Sequence, residues 1–159
     1  MKNLILSAMF YSFYLAGSAQ NFNLTAKSGD TELDASLTEI NIKAKDDLPL
    51  FKKDLSIEFN IGQPKIDKML EAQLSPADIF MILQTAELTK NDPEIVMGTY
   101  KKNKDKGWGA IAKELGIKPG SPEFHALKGK AHNKKDKGHK EDKENGNNGH
   151  GKGHGKGKK

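Results

Sequence analysis

The stretch G-W-G-A-I-A-K-E-L-G-I-K-P-G-S-P-E-F-H-A-L-K, Gly107 to Lys128, contains the chain's one tryptophan and a full set of helix punctuation. Trp108, Ile111, Ala112 and Leu115 fall at i, i+3, i+4 and i+7, one face of a two-turn helix. Gly116 follows as a left-handed stop. Ser121-Pro122-Glu123 then supplies an N-cap, a proline at the first helical position and an acid, opening a helix that carries Phe124 and Leu127. The stretch therefore predicts a helix-turn-helix unit that closes an α-helical fold.

Upstream the same grammar recurs. Ser75-Pro76-Ala77-Asp78 is a capping sequence, and Ile79, Ile82, Leu83 and Ala86, broadened by Phe80 and Met81, make an apolar arc wide enough for a central, buried helix ending near Thr89. Asp92-Pro93-Glu94 opens another helix carrying Ile95, Val96, Thr99 and Tyr100. Further back, Leu33, Leu37, Ile40 and Ala44 form one helical stripe that Asp30 or Thr31 can cap. Residues 38–61 admit two readings. Ile40, Ile42 and Ala44, then Leu55, Ile57, Phe59 and Ile61, alternate as a β-hairpin would, giving an α+β fold. Phe51, Leu55 and Phe59 also make a helical stripe after an Asp47/Pro49 start, closed by Gly62, and Lys45 to Asp54 is long for a hairpin connection. The preferred fold class is a small all-α domain of short helices in an orthogonal arrangement, spanning 30–128.

Composition bounds the rest. With 159 residues, 35% hydrophobic, the chain has room for one domain. From Gly129 to Lys159 there is no Leu, Ile, Val, Phe, Met, Trp or Tyr, so residues 129–159 read as a disordered, low-complexity tail rich in Lys, His and Gly. The overall charge of +5 belongs to that tail and not to the domain. No cysteine is present, which excludes disulfides and thiolate chemistry. All 26 basic residues are lysine, and without guanidinium forks specific nucleic-acid reading or phosphoryl transfer is disfavoured.

The N-terminus reads as a secretory signal peptide, 1–19. Lys2 is the charged region, Leu4 to Leu15 the apolar region, and Gly17-Ser18-Ala19 places small residues for cleavage after Ala19. The apolar run is too short to span a bilayer. A periplasmic or secreted location follows, with no transmembrane segment after cleavage and residues 20–29 as a flexible lead-in.

Four constellations bear on chemistry. Ile111-Ala112 and Gly116-Ile117 match the first half of a DNA-binding helix-turn-helix, but Pro119 and Pro122 fall where the recognition helix would begin, and no Arg, Gln or Asn follows in its first turns to read bases. His125, with Glu123 or Asp105, lacks the paired partners of an active site, so no enzyme is expected. His132, His139, His150 and His154, with a near-repeat of G-H-G-K at 149–156, could chelate nickel, copper or zinc at an affinity reduced by the entropy of ordering. No dedicated metal or cofactor site is read. The tail's lysines also suit an anionic surface polymer or lipid. Lys101, Lys102, Lys104 and Lys106 lead into Trp108, which could make a binding surface by charge and stacking, or could be the solvated end of one helix beside the anchor of the next.

Lys104 to Lys128 resembles the C-terminal signature of an uncharacterised family of small exported bacterial proteins. L-D-A-S-L at Leu33 to Leu37, F-K-x-D-L-S at Phe51 to Ser56 and P-A-D at Pro76 to Asp78 extend the resemblance over about Asp30 to Lys128. It implies that the fold ends at Lys128 and that the tail is an individual extension. It carries over no catalytic residue. The expectation is an exported binding or interaction protein that is not an enzyme, with its binding surface around Trp108.

Overall fold

Ser75, Pro76 and Asp78 do start the helix on which the others are assembled. The computed structural model describes residues 22–136; the signal-peptide reading at 1–19, the tail beyond 136 and His139, His150 and His154 lie outside them. Among the described residues the fold is all-helical: α1 (Thr31–Asp46), α2 (Leu48–Glu58), α3 (Gln63–Glu71), α4 (Pro76–Thr89), α5 (Pro93–Asn103), a 3-10 turn at Lys104–Lys106, α6 (Trp108–Glu114) and α7 (Pro122–Asp136). Helix α4 is buried along nearly its whole length, from Pro76 to Ala86, and packs against α1, α3, α5 and α7. Phe80, Ile79, Met81 and Ile82 are wholly inaccessible, and each such burial stabilises by about 1.5–3 kcal/mol.

The helix starts follow the capping residues. Asp30, Asp47, Ser75, Asp92 and Ser121 accept from backbone N–H groups of the first turns of α1, α2, α4, α5 and α7. The hairpin alternative for 38–61 is overturned, because Leu33, Leu37, Ile40 and Ala44 bury on one face of α1, and Phe51 and Leu55 on one face of α2. Ile57, inward in a strand reading, is 72% exposed. Gly62 is also corrected from a stop to a start. It has φ −65° and sits at the N-cap of α3, while the left-handed residue that ends α2 is Asn60, φ 48°. Helix α3, unforeseen, buries Ile66, Met69 and Leu70.

Two boundaries move. Residues 22–29 are not a loose lead-in but a strap fastened to the domain. Asn41, in the middle of α1, donates from Nδ2 to the carbonyls of Asn23 and Leu24 at 3.3 and 3.2 Å, while its Oδ1 accepts from Ala77 N–H at 2.8 Å. One buried amide thus joins strap, α1 and an otherwise orphaned donor in the first turn of α4. The strap ends against Gly107, φ 77°, where an added Cβ would lie 2.5 Å from the carbonyl oxygen of Ser28, so only glycine fits.

At the other end the fold does not stop at Lys128. Helix α7 continues to Asp136 with Ala131 wholly buried, and it packs on α1 and α4. Lys134 and Lys43 fasten its last turn, the first to Glu58 at 2.9 Å and the second to the carbonyl of Lys135. The expected helix-turn-helix unit is likewise revised. Gly116, φ 91°, ends α6 with Ile117 N–H bonded to Ala112 O at 2.8 Å, as the sequence implied, but α6 then packs on α5 and α7 on α1 and α4.

Candidate functional site

Of the two readings of Trp108, the structure supports the apolar anchor of its helix and not the stacking surface. Trp108 is 3% exposed. Its Nε1 donates to Asp78 Oδ1 at 3.1 Å, and its ring stacks on Tyr100 with centroids 5.2 Å apart and planes at 28°. Asp78 is itself held by Ser75, whose hydroxyl donates to Oδ2 at 2.7 Å. Burial, and then the Asp78 carboxylate beside it, push the Tyr100 phenol well above its ordinary range, so Tyr100 stays neutral. With face and edge both occupied, Trp108 offers no stacking platform. Lys101, Lys102, Lys104 and Lys106 are exposed around it, and Lys106 donates to Asn103 Oδ1 at 2.9 Å. The side chain of Asn103 also reaches Glu114 at 2.9 Å and the Thr99 carbonyl at 3.1 Å, so the cluster braces α5 against α6.

His125 lies exposed on α7, and no hydrogen bond joins it to Glu123 or Asp105 among the described residues. Glu123 faces the start of its own helix, where the Ser121 hydroxyl, and then its own backbone N–H, hold its carboxyl below the ordinary value. A shallow cleft between α1 and α7 collects His125, His132, Lys128 and Glu32. Lys128 is already committed there, to Asp30 Oδ2 at 2.7 Å and Glu32 at 3.2 Å. His132 is exposed and lies 3.7 Å from Asp136, and among the described residues no three His, Cys, Asp or Glu side chains converge as metal ligands.

A surface unforeseen from the sequence lies between α1 and α2. The linker of a single residue, Asp47, folds the two helices side by side and leaves a groove of about 570 Å³. Ile40 and Phe51 form its floor, and the half-exposed Ile42 and Leu50 its walls. Glu39, Asp46, Asp47 and Asp54 line the rim. Two lysines also border it, and both are engaged. Lys43 donates to the Lys135 carbonyl, and Lys134 pairs with Glu58 while lying 5.8 Å from the Phe51 ring centroid. Asp47 caps α2 through Leu50 N–H at 2.9 Å, whereas Glu39, Asp46 and Asp54 have no ion-pair partner among the described residues. The arrangement is apolar in its depth and negative at its edge. The signal that could have found it is in α2, where Leu50 and Ile57 share a stripe distinct from Phe51 and Leu55.

Comparison with protein-family models, with curated proteins and with solved structures gives no match.

Proposed function

We propose that the protein is an exported, non-enzymatic interaction module that presents the α1–α2 groove to a partner. The observation that carries this reading is the placement of unburied apolar side chains. Ile42, Leu50 and Ile57, exposed by 38%, 50% and 72%, all lie on α1 and α2, and Ile95 on α5 is the only other large exposed hydrophobic among the described residues. Each forgoes a part, in proportion to its exposure, of the roughly 1.5–3 kcal/mol that full burial would supply. Apolar patches of this kind with a polar rim mark protein interaction sites.

Export rests on Lys2, the Leu4–Leu15 run and Gly17-Ser18-Ala19. Among the described residues, no helix is long and apolar enough to cross a membrane. The Lys/Gly/His-rich segment beyond α7 adds a basic extension suited to loose contact with anionic polymers or headgroups. Its histidines, with His132 on α7, carry the nickel, copper or zinc reading.

The test has two parts. N-terminal sequencing of the protein from fractionated producing cells is expected to begin at Gln20 in the exported fraction; a chain retained with Met1 in the cytoplasm overturns the export part. A photo-crosslinking side chain placed at Leu50 is expected to form adducts that Ile42→Lys suppresses, whereas the same probe at Ile95 forms none. Equal crosslinking from both positions, or indifference to Ile42→Lys, overturns the groove.

A further inference from the structure

We propose that the occupant of the α1–α2 groove is a cationic amphipathic helix of a partner protein. Its apolar stripe would lie between Ile42 and Leu50, and its lysines or arginines against Glu39, Asp46 and Asp54. This deepens the reading of the groove as a docking surface and rests on it.

Three observations select that occupant. The first is the shape of the apolar surface. Ile42 on α1 and Leu50 on α2 wall a trough floored by Ile40 and Phe51, and Ile57, about 10.5 Å along α2 from Leu50, extends the apolar stripe beyond the groove. An apolar trough between two helices takes the apolar face of an amphipathic helix. The second is charge. Residues 22–136 carry lysines and acids in equal number, so an acidic rim here is a local choice and not the protein's general sign. Lys134 is paired with Glu58, and Lys43, held on the neutral Lys135 carbonyl, sets one positive charge against the carboxylates of Glu39, Asp46, Asp47 and Asp54, so the rim stays net negative. An anionic or uncharged helix would strip water from these carboxylates without replacing it, and like charges set against them are rejected.

The third is the failure of the alternatives. The chain's own segment 137–159 follows α7 in sequence and is basic, but it has no Leu, Ile, Val, Phe, Met, Trp or Tyr to place on Ile40 and Phe51. It can compete for the rim but cannot fill the floor. A second copy docked by the same face would bring two acidic rims together, since a two-fold interface apposes identical patches.

The test uses the full chain and a fluorescein-labelled synthetic peptide of leucine and lysine, about 14 residues long, with leucines at i, i+3, i+4 and i+7. Three controls accompany it: the scrambled sequence, a leucine/glutamate version and a leucine/glutamine version. The leucine/lysine peptide alone is expected to bind by fluorescence anisotropy. Leu50→Lys and Ile42→Lys are each expected to weaken it by about tenfold or more, and Ile95→Lys to leave it unchanged. The combined Asp46→Lys, Asp54→Lys variant is expected to weaken binding mainly at low salt and to flatten its salt dependence. Leu50 and Ile42 are solvent-exposed, so matching circular dichroism melts will show that these variants remain folded.

Equal binding of the glutamate or glutamine peptide through the same residues overturns the cationic occupant and leaves the groove reading standing. Equal binding of the scrambled peptide, or no binding by any peptide, overturns the proposal, and the crosslinking result then decides the groove separately. If Leu50→Lys dissociates a dimer in sedimentation, the occupant is a second copy. If charge reversal at Asp46 and Asp54 shifts the His139, His150 and His154 resonances and the free chain takes no peptide, it is the chain's own tail. Either result also overturns the proposal.

Discussion

The indole Nε1 of Trp108 donates to Oδ1 of Asp78 at 3.1 Å, tying the first residue of α6 to the first turn of α4. Asp78 therefore serves two partners, Trp108 and Ser75, and its loss strands a buried N–H. Asp78→Ala is expected to destabilise by about 1–3 kcal/mol in urea unfolding, and Asp78→Asn, which keeps a carbonyl acceptor, by less. Trp108 is the single tryptophan, so its fluorescence reports the change directly; an unshifted emission maximum in Asp78→Ala would show that the bond does not hold the ring.

Ala131 is wholly buried and Ala126, on the same helix, is exposed. Ala131→Glu is expected to cost more than about 2 kcal/mol, because an unpaired charge and extra volume enter a filled space, while Ala126→Glu stays within about 0.5 kcal/mol. Thermal melts of the two variants check the pair. Equal stability would mean that the fold ends before Ala131.

Asn60, Gln73 and Lys90 have φ of 48°, 63° and 57°, and each ends a helix in the left-handed region that glycine adopts without steric cost. Gln73→Gly and Lys90→Gly are each expected to stabilise by up to about 1 kcal/mol, read as a higher urea midpoint at unchanged slope. Gly116→Ala, at φ 91°, is expected to do the reverse by a similar amount.

These caps also explain how far the sequence could be read. Helix starts were legible because aspartate, serine and proline announce them, as at Ser75-Pro76 and Asp92-Pro93. Two of the stops were hidden, since an Asn and a Gln stand where glycine is expected, whereas the end of α4 at Thr89 was legible although Lys90 takes the left-handed position. Taking Gly62 as a stop concealed α3, although Ile66, Met69 and Leu70 are spaced as a helical face. The last turns of α7 were illegible for another reason. Ala131 is the only apolar residue after Leu127, and what holds those turns, its burial and the Lys134–Glu58 pair, depends on distant parts of the chain. The strap was hidden similarly, its holding bonds coming from Asn41, which looked like an ordinary helix residue. At the candidate site, Trp108 reads correctly as the apolar anchor of α6, while the alternative of a stacking surface there fails on a bond to Asp78, thirty residues away in the chain. Ile42 and Ile57 fit the alternation of the hairpin alternative, and the preferred helical stripes leave both out; the helical period turns them outward.

Lys128 and Asp30 join α7 to the start of α1, and their titration sets a pH window. The Lys128 ammonium, and then the Leu33 N–H, hold the Asp30 carboxyl below its ordinary value of 3.8, so its contribution is complete above that value and is lost as pH falls through the lower folded one. Asp30 raises Lys128 above 10.5, so that contribution is complete below 10.5 and is lost as pH rises through the higher folded value. Lys128→Met is expected to lower stability across the plateau by less than about 1 kcal/mol, as befits a partly solvated pair. The difference from the parent should shrink on acidification below 3.8, and unfolding titrations that show it growing there would reverse the assignment.

The fastening of Asn23 and Leu24 to Asn41 bears on the order of events in the protein's life. If the leader is cut after Ala19, the scissile bond lies four residues from Asn23, a reach of about 13 Å at full extension. A membrane-bound protease must draw such a bond into its own cleft as extended chain, and a domain already closed on the strap leaves too little slack for that. Cutting therefore has to come before the strap seats on α1. A variant whose domain closes early would accumulate as uncut precursor, and Asn41→Ala, which loosens the strap, would release it for processing.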